Sequence, residues 1–408
     1  MYISFCDHVY FTKGFKKSCI YDFGKGLLYH LTEDETYFVE RLIGKNADNL
    51  NLSAKESEQL TFLINKEILC YHNKVNIGKI NKIDSGKVNF AWIEVTSRCN
   101  LRCLHCYDES DNFSGKTMCV EDFIYVGDQL ASIGVSGIQI IGGEPLILGQ
   151  DLIPMIQYAS SHFENVEVFT NGTLLTDWWA NFFQEHKIKV ALSVYSYDEN
   201  MHDTVTKKSG SYQKTTQAIR RLSDRNIKYR IANVLMKNID LGAKNTEFYK
   251  LNPDKDIVRM AGRGNLSLLS RELLKKKLIT EKTFSTPLSM ALLHRIRHGH
   301  NCFSRRLYVA ADLTVYPCVM ERRVSHGSLK TGNLKDILKH DIFSLDKDRI
   351  NGCKDCEFRY CCHDCRPDSL SENILEKPWN CTYDPYKGIW IDSDSFIDKL
   401  ETEYDIVF

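Results

Sequence analysis

The chain has 408 residues, which is room for two or three domains, and its balance of 43% hydrophobic and 26% charged residues allows a sizeable buried core. The 53 basic and 53 acidic residues cancel, so no overall charge indicates a nucleic-acid or membrane partner. The first residues lack the features of a signal peptide, and no apolar run approaches the ~18 residues that span a bilayer. We therefore expect a cytoplasmic protein, in which clustered cysteines indicate metal ligands before disulfides.

Residues 1–85 contain short strand and helix signals. Strand-like segments lie at 9–12 and 18–21, and glycines at 24–26 predict a turn. Thr32 and Ser53 are each followed three residues later by a glutamate, which is the pattern of a helix capping box. Strands followed by helices in a segment of this size predict a small winged-helix-like α+β domain.

Strand-like and helix-like segments alternate from residue 86 to about 260. The strand-like segments are 90–95, 137–141, 166–169, 190–195, 229–236 and 257–260. The helix-like segments between them are 120–133, 151–162, 176–186 and 212–225. Repeated βα units predict an α/β domain with a parallel sheet, which we place at residues 86–285.

Three cysteines lie in the loop after the first of these strands. Cys99, Cys103 and Cys106 occur within eight residues, and an aromatic residue, Tyr107, follows them. Three thiolates at this spacing can bind three irons of one [4Fe–4S] cluster, whereas most protein-bound clusters of this type have four cysteine ligands. The fourth iron is then open to a small molecule, which predicts a cluster that does chemistry.

Glycine-rich or polar motifs follow the later strands. They comprise Gly142, Gly143, Glu144 and Pro145 after the second strand, Asn171 after the third and Ser193 within the fourth. A turn explains any one of these motifs alone. Because ligands bind at the carboxyl ends of strands in α/β folds, their recurrence there favours a shared binding site.

The C-x3-C-x2-C spacing and the Gly-Gly-Glu-Pro motif resemble those of the radical SAM enzymes. The resemblance implies a partial (β/α)6 barrel, in which the cluster held by the three cysteines binds S-adenosylmethionine (SAM). It implies that Gly142 to Pro145 contact the SAM ammonium group, and that Tyr107, Asn171 and Ser193 belong to the cofactor site. Relatives often have Ser-x-Asp at the last position, whereas this chain has Tyr195 in place of the aspartate.

Eight further cysteines occur between residues 302 and 381. They are Cys302, Cys318, Cys353, Cys356, Cys361, Cys362, Cys365 and Cys381. Strand-like segments at 306–310 and 314–317 predict a hairpin that precedes the second of them. The pairs Cys353-x2-Cys356 and Cys362-x2-Cys365, taken alone, favour a closed zinc site with four thiolates. One zinc ion does not explain the remaining cysteines.

The whole array resembles the SPASM domain, a module that carries auxiliary [4Fe–4S] clusters, and we place it at residues 286–408. The resemblance assigns Cys353, Cys356, Cys362 and Cys381 to an outer cluster, and Cys302, Cys318 and Cys365 to an inner one. The inner cluster then has an open iron or another ligand. The spacing leaves the choice between Cys361 and Cys362 open, because each keeps one of the family's distances.

Residues 11–22 resemble the opening of the grasp-with-spasm peptide maturases, and Arg259 and Arg263 resemble the same branch, although solvated surface arginines are as common. The resemblance implies reductive cleavage of SAM to a 5′-deoxyadenosyl radical that abstracts hydrogen from a ribosomally made precursor peptide. The product is a side-chain crosslink, either thioether, C–C or C–O. Residues 1–85 would recognise the peptide, and flavodoxin or ferredoxin would donate electrons.

Two alternatives remain open. An anaerobic sulfatase-maturating enzyme, which forms formylglycine, shares the cysteine pattern, but such enzymes usually have a short segment before the cysteine motif. A zinc-binding or electron-transfer protein would explain the later cysteines but not the three-cysteine loop or the motif at Gly142 to Pro145.

Overall fold

The computed structural model describes residues 1–82, 88–111, 115–241, 254–285, 287–298, 303 and 305–408. Its N-terminal strands are β1 (Tyr2–Phe5), β2 (Val9–Lys13), β3 (Ser18–Asp22), β4 (Leu27–Leu31) and β5 (Leu69–His72), and its helices are α1 (Glu33–Leu42) and α2 (Ala54–Asn65). Strands β2, β3 and β4 form an antiparallel sheet, and β1 pairs with β5. Both predicted capping boxes are confirmed, because Thr32 and Ser53 accept hydrogen bonds from the backbone at the third helical position. The comparison to a winged helix remains a prediction.

The middle of the chain alternates strands and helices as predicted. The strands are β6 (Phe90–Thr96), β7 (Gly137–Gly142), β8 (Asn165–Thr170), β9 (Lys189–Ser193), β10 (Tyr229–Leu235) and β11 (Asp254–Ile257). The helices are α3 (Val120–Ser132), α4 (Leu152–His162), α5 (Asp177–Glu185), α6 (Glu199–Thr206) and α7 (Ser211–Asp224). The last strand ends at Ile257, where the sequence predicted it to begin.

The C-terminal part of the chain contains short elements separated by long irregular segments. Helices α8 (Arg271–Lys277) and α9 (Met290–Arg297) precede strands β12 (Arg306–Val309), β13 (Thr314–Tyr316) and β14 (Gly327–Ser328). Helix α10 (Leu334–Ile337), strands β15 (Tyr383–Asp384) and β16 (Ile389–Trp390), and helix α11 (Ser393–Tyr404) follow. No helix within the described ranges is long and apolar enough to cross a membrane.

A nine-stranded mixed sheet connects the middle and C-terminal parts, in the order β11-β10-β9-β8-β7-β6-β12-β13-β14. Strands β6 to β11 are parallel, which confirms the α/β prediction. Strand β12 pairs in parallel with β6, with Arg306 opposite Phe90, and forms the predicted hairpin with β13. The sheet therefore continues past residue 285, where the sequence placed a domain boundary.

Two of the hydrophobic clusters show how these parts of the chain are connected. The larger cluster lies between the parallel sheet and its helices. It includes fully buried strand residues such as Ile93, Ile140 and Val190. In the second core, the N-terminal sheet packs against the cysteine-rich region, and Tyr21 contributes a buried ring. The Tyr21 hydroxyl donates a hydrogen bond of 2.6 Å to the Glu357 carbonyl oxygen. The first 82 residues therefore share a hydrophobic core with the C-terminal cysteines.

Candidate active site

The three clustered cysteines line one cavity of about 180 Å³ at the carboxyl ends of the parallel strands. Their loop contacts α6, where Leu104 N donates a hydrogen bond of 2.9 Å to Val205 O. Burial raises the pKa of the Cys103 thiol to about 12 and also raises the pKa of Cys99. Because metal binding requires thiolates, loading this site with iron must release protons. The structure thus brings Cys99, Cys103 and Cys106 together around a common space.

Gly142 and Gly143 let the end of β7 lie directly against the start of the cysteine loop. A Cβ atom at Gly142 would lie 2.2 Å from Thr96 O, and one at Gly143 would lie 2.3 Å from Arg98 O. Gly143 N donates a hydrogen bond of 2.7 Å to Thr96 O. Both glycines also line the cavity. The absence of a side chain therefore serves the packing of the loop as well as the approach of a ligand.

The Glu144 carboxylate connects the end of β7 to the end of β8. It is fully buried and accepts hydrogen bonds from Thr170 Oγ1 (2.6 Å), Asn171 N (2.7 Å) and Leu146 N (3.1 Å). Burial raises the pKa of Glu144 to about 7, against the effect of these three donors. Neither Glu144 nor the buried Pro145 is among the residues that line the cavity. In this structure, Glu144 fixes β8 relative to β7.

Asn171 lines the cavity and holds the cysteine loop from the side of β8. Its Nδ2 donates a hydrogen bond of 2.9 Å to Asn100 Oδ1 and lies 3.9 Å from Cys99 Sγ. Its Oδ1 accepts a hydrogen bond from Thr173 N at 2.9 Å. The amide is therefore fixed in one orientation beside the first cysteine.

Aromatic side chains complete the wall around the cysteines. Tyr107 and Tyr195 line the cavity beside Ser193, and so does His105, which the sequence did not indicate as a site residue. The rings of His105 and Tyr195 meet edge to face with their centroids 4.7 Å apart. Burial lowers the pKa of His105 to about 4, so its ring is neutral, and its Nε2 has no hydrogen-bond partner in the described part of the chain. Its place inside the cysteine loop was the signal that could have indicated it.

Arg263 and its neighbour Gly262 both contact the backbone of the cysteine loop. Arg263 Nε donates a hydrogen bond of 2.8 Å to Cys103 O, and Nη2 donates one of 3.1 Å to Ser110 O. Gly262 has φ of +55°, and a Cβ atom there would lie 2.5 Å from Cys106 O. The guanidinium is thus engaged with the cysteine loop and is not a solvated surface arginine.

The family model of the Radical SAM superfamily matches residues 93–241. This range contains the cysteine loop, the glycine motif, Asn171 and Ser193, which the structure collects at one edge of the parallel sheet. The chain carries a radical SAM domain. It is therefore an enzyme that uses SAM and a [4Fe–4S] cluster, which confirms the prediction made from the cysteine spacing.

The relatives of the chain include proteins that are named for different processes. AlbA of Bacillus subtilis (strain 168), an antilisterial bacteriocin subtilosin biosynthesis protein, is 32% identical over 204 residues, which are 46% of this chain and 45% of AlbA. GTP 3′,8-cyclase of Clostridium perfringens (strain SM101 / Type A) is 26% identical over 208 residues, which are 47% of this chain and 63% of the cyclase. The chain thus spans less than two thirds of the length of either relative.

A solved structure shares the fold over most of the chain. The crystal structure of Streptococcus suis SuiB bound to SAM has a TM-score of 0.55 and 13% sequence identity, and the match covers 91% of this chain and 99% of SuiB. At this identity the likeness shows the fold of the radical SAM domain and its surroundings.

The cavity has the donors that the cofactors of a radical SAM domain require. The three cysteines of the loop line this cavity together with Gly142, Asn171 and Ser193. Soft thiolates bind iron, and neutral polar groups can orient an amino acid and a ribose. The types of residue present therefore suit a cluster and SAM.

The later cysteines are divided between different surroundings. Four of them line one small cavity, namely Cys353, Cys356, Cys362 and Cys381. Cys361 faces elsewhere, because its Sγ donates a hydrogen bond of 3.3 Å to Phe358 O. Within the described residues, no three His, Cys, Asp or Glu side chains converge on a single metal-ion position. The fourth cysteine in this cavity is Cys381, whereas the zinc alternative requires Cys365.

A third and larger cavity, of about 670 Å³, lies between the radical SAM domain and the cysteine-rich region, and Cys365 is among the residues that line it. It shares Asp256, Ile257 and Arg259 with the cavity at the cysteine loop. Arg259 Nε donates a hydrogen bond of 2.7 Å to Asp256 Oδ2. These residues form a common wall between the two cavities.

The cysteines assigned to the inner cluster are described only in part. Cys302 lies outside the described residues. Burial raises the pKa of Cys318, and the nearby guanidinium of Arg259 opposes that shift. The positive charge of Arg259 is thus close to one cysteine of the predicted inner set.

Proposed function

We propose that this chain is a radical SAM maturase that forms a side-chain crosslink, either thioether, C–C or C–O, in a ribosomally made precursor peptide. The proposal rests on the wall that the cavity of about 670 Å³ shares with the cavity at the cysteine loop. A peptide segment in the larger cavity would meet the cofactor site across Asp256, Ile257 and Arg259. The volume of about 670 Å³ falls within the range of small-ligand sites, roughly 300–1,000 Å³.

In this proposal Cys99, Cys103 and Cys106 hold the cluster, and Asn171 and Ser193 orient SAM. When bound, the two cofactors would supply a 5′-deoxyadenosyl radical that takes one hydrogen atom from the substrate. The second electron lost on crosslinking would pass to an auxiliary cluster, and the second proton to solvent. The protein contributes position and exclusion of water. Support for this assignment comes from the fixed amide of Asn171 and from the buried surroundings of the cysteine loop.

We assign an outer auxiliary cluster to Cys353, Cys356, Cys362 and Cys381, and an inner one to Cys302, Cys318 and Cys365. The common cavity of the first four supports Cys362 as the ligand over Cys361. Lys347 supports the same choice, because its Nζ lies 3.9 Å from Cys362 Sγ. A buried ammonium group favours the thiolate that iron requires.

A precursor peptide has a candidate docking edge on the N-terminal sheet. Within the described residues β4 pairs only with β3, so its outer edge is free to add a strand. Leu27 at the start of β4 is exposed, as are Tyr37 of α1 and Phe62 of α2. Among the relatives, AlbA is named for subtilosin biosynthesis, and SuiB has been solved bound to its precursor peptide SuiA. Flavodoxin or ferredoxin is the proposed electron donor.

Anaerobic incubation with a candidate precursor peptide tests the proposal. We expect cleavage of SAM and a peptide product that has lost two hydrogen atoms, with fragmentation blocked between the linked residues. Replacement of Cys99, Cys103 and Cys106 by Ala should abolish both. A product that reacts with a hydrazide would instead indicate an aldehyde and favour the formylglycine-forming alternative. Colourless protein that holds zinc and cleaves no SAM would favour the non-enzyme alternative.

A further inference from the structure

The cavity of about 670 Å³ has a lining in which positive charge predominates. Among the described residues, more basic than acidic side chains face it. The acidic ones are Asp256, Asp346, Asp364 and Asp368, and the basic ones are Lys82, Arg259, Lys276, Lys277, Arg295, Lys347 and Arg359. Seven cations against four carboxylates leave an excess of three positive charges. A cleft lined mainly by one sign of charge attracts ligands of the opposite sign.

The carboxylates of the lining are already paired with cations of the lining. The pairs are Arg259 with Asp256, Lys82 with Asp346, Lys347 with Asp364 and Lys277 with Asp368. Lys276 and Arg359 reach carboxylates outside the lining, those of Glu272 and Asp348, each at 2.8 Å. Arg295 lies exposed on α9 and has no ion-pair partner in the described part of the chain.

Of these cations, Arg259 alone also lines the cavity at the cysteine loop. Its Nε donates a hydrogen bond of 2.7 Å to Asp256 Oδ2, which fixes one edge of the guanidinium. Its two terminal amino groups make no hydrogen bond to any residue that the structure describes, and about 29% of the side chain is exposed. A guanidinium can bind a carboxylate through two parallel hydrogen bonds, so this second edge suits a carboxylate ligand.

We propose that the peptide segment bound in this cavity is acidic, and that Arg259 binds the carboxylate of an Asp or Glu side chain beside the cofactor site. Arg295 contributes a second contact to the acidic segment from α9. This inference rests on the proposed binding of a peptide in this cavity. SAM also carries a carboxylate, so the experiment must separate the two ligands.

The probes are fluorescein-labelled decapeptides that alternate glycine with glutamate or with glutamine. Their binding to the anaerobically reconstituted full chain is measured by fluorescence anisotropy. At low salt the glutamate peptide should bind at least about tenfold more tightly than the glutamine peptide, and added salt should reduce this ratio. Arg259→Gln should lower the ratio about tenfold, whereas a purely structural role would weaken both peptides equally. The double variant Asp256→Asn, Arg259→Gln keeps the net charge and should also show the low ratio.

Arg221→Gln is the matched control. Arg221 Nε also donates to an aspartate, Asp177, at 3.1 Å, and its side chain is likewise 29% exposed. It is not among the residues that line either cavity, so this variant should keep the wild-type ratio. Arg295→Gln changes an exposed residue, and should lower the ratio about twofold even if Arg259→Gln folds poorly.

An unchanged ratio in Arg259→Gln, or in Arg295→Gln if the former does not fold, would overturn the inference. Weaker binding of SAM by Arg259→Gln with unchanged peptide selectivity would assign the arginine to SAM and would overturn it as well. Wild-type protein that crosslinks a precursor peptide but does not distinguish the two probes would overturn the inference while the proposed function stands. Wild-type protein that cleaves SAM but modifies no peptide would overturn the proposed function and this inference together.

Discussion

Gly262 offers a sharp test of how the cysteine loop is held. It has φ of +55°, and a Cβ atom there would lie 2.4 Å from Tyr107 O and 2.5 Å from Cys106 O. Real Cβ atoms do not approach closer than about 3.0 Å, so Gly262→Ala must displace the backbone by at least about 0.6 Å. Catalytic groups must be held within about 0.5 Å of their productive geometry, and a misplacement of 1 Å can cost ~100-fold in rate. We therefore expect at least about tenfold slower SAM cleavage.

Gly134 provides the matched control. It also has a positive φ, of +83°, and a Cβ atom there would meet nothing within 4 Å. Both alanine variants bear the cost of a left-handed L-residue, about 1–2 kcal/mol of unfolding free energy. Only Gly262→Ala adds the clash with the loop that carries the cluster ligands. A difference in activity between two variants of similar backbone strain therefore reports on the loop.

The assay is the rate of 5′-deoxyadenosine formation under strong reductant without peptide, together with iron content and thermal unfolding. Gly134→Ala should lose stability and keep the wild-type rate. Wild-type cleavage by Gly262→Ala would refute the claim that this close contact positions the cysteine loop.

Three further predictions address other parts of the molecule. Cys362→Ala should lose iron equivalent to one cluster and Cys361→Ala should not, so equal iron content in the two would contradict our assignment. Tyr21→Phe removes a hydrogen bond to a buried carbonyl, which should lower the free energy of unfolding in denaturant by about 1–3 kcal/mol. Tyr386→Phe, which removes an exposed phenol, is the control and should lower it less. Burial lowers the pKa of His202 to about 4. The unfolded chain therefore binds the proton more readily, and stability should fall as pH decreases from about 6.5 to 4. His202→Gln should reduce this loss of stability. If the variant and the wild type lose stability equally as the pH falls, the assignment to His202 is wrong.

The local pattern of the sequence was enough to predict the central elements. Alternation of apolar strand and helix segments is a short-range signal, and it located β6 to β10 within a few residues. The capping boxes at Thr32 and Ser53 depend on residues only three positions apart, and both formed. Cysteine spacing likewise indicated which three thiols would share a cavity.

Contacts between distant segments could not be predicted in this way. Nothing local in the sequence shows that β12 pairs with β6, because the partners are far apart in the chain. The brace formed by Glu144 between β7 and β8, and the clamp of Arg263 on the cysteine loop, likewise depend on tertiary packing. Sequence spacing also could not decide between Cys361 and Cys362. The directions in which two adjacent side chains point depend on the path of the backbone, and in the structure only Cys362 lines the cavity of the other cysteines.

The pairing of β6 with β12 has a consequence for synthesis of the protein. One side of β6 pairs with β7, but its other partner follows more than 200 residues later in the chain. At about 5–20 residues per second, a ribosome needs roughly 10–40 s to make that stretch. Throughout this interval the nascent chain presents an unpaired strand edge directly before the cysteine loop, and such edges are templates for aggregation. Abundant chaperones during expression, which cover such edges until β12 has been made, should therefore raise the yield of soluble protein.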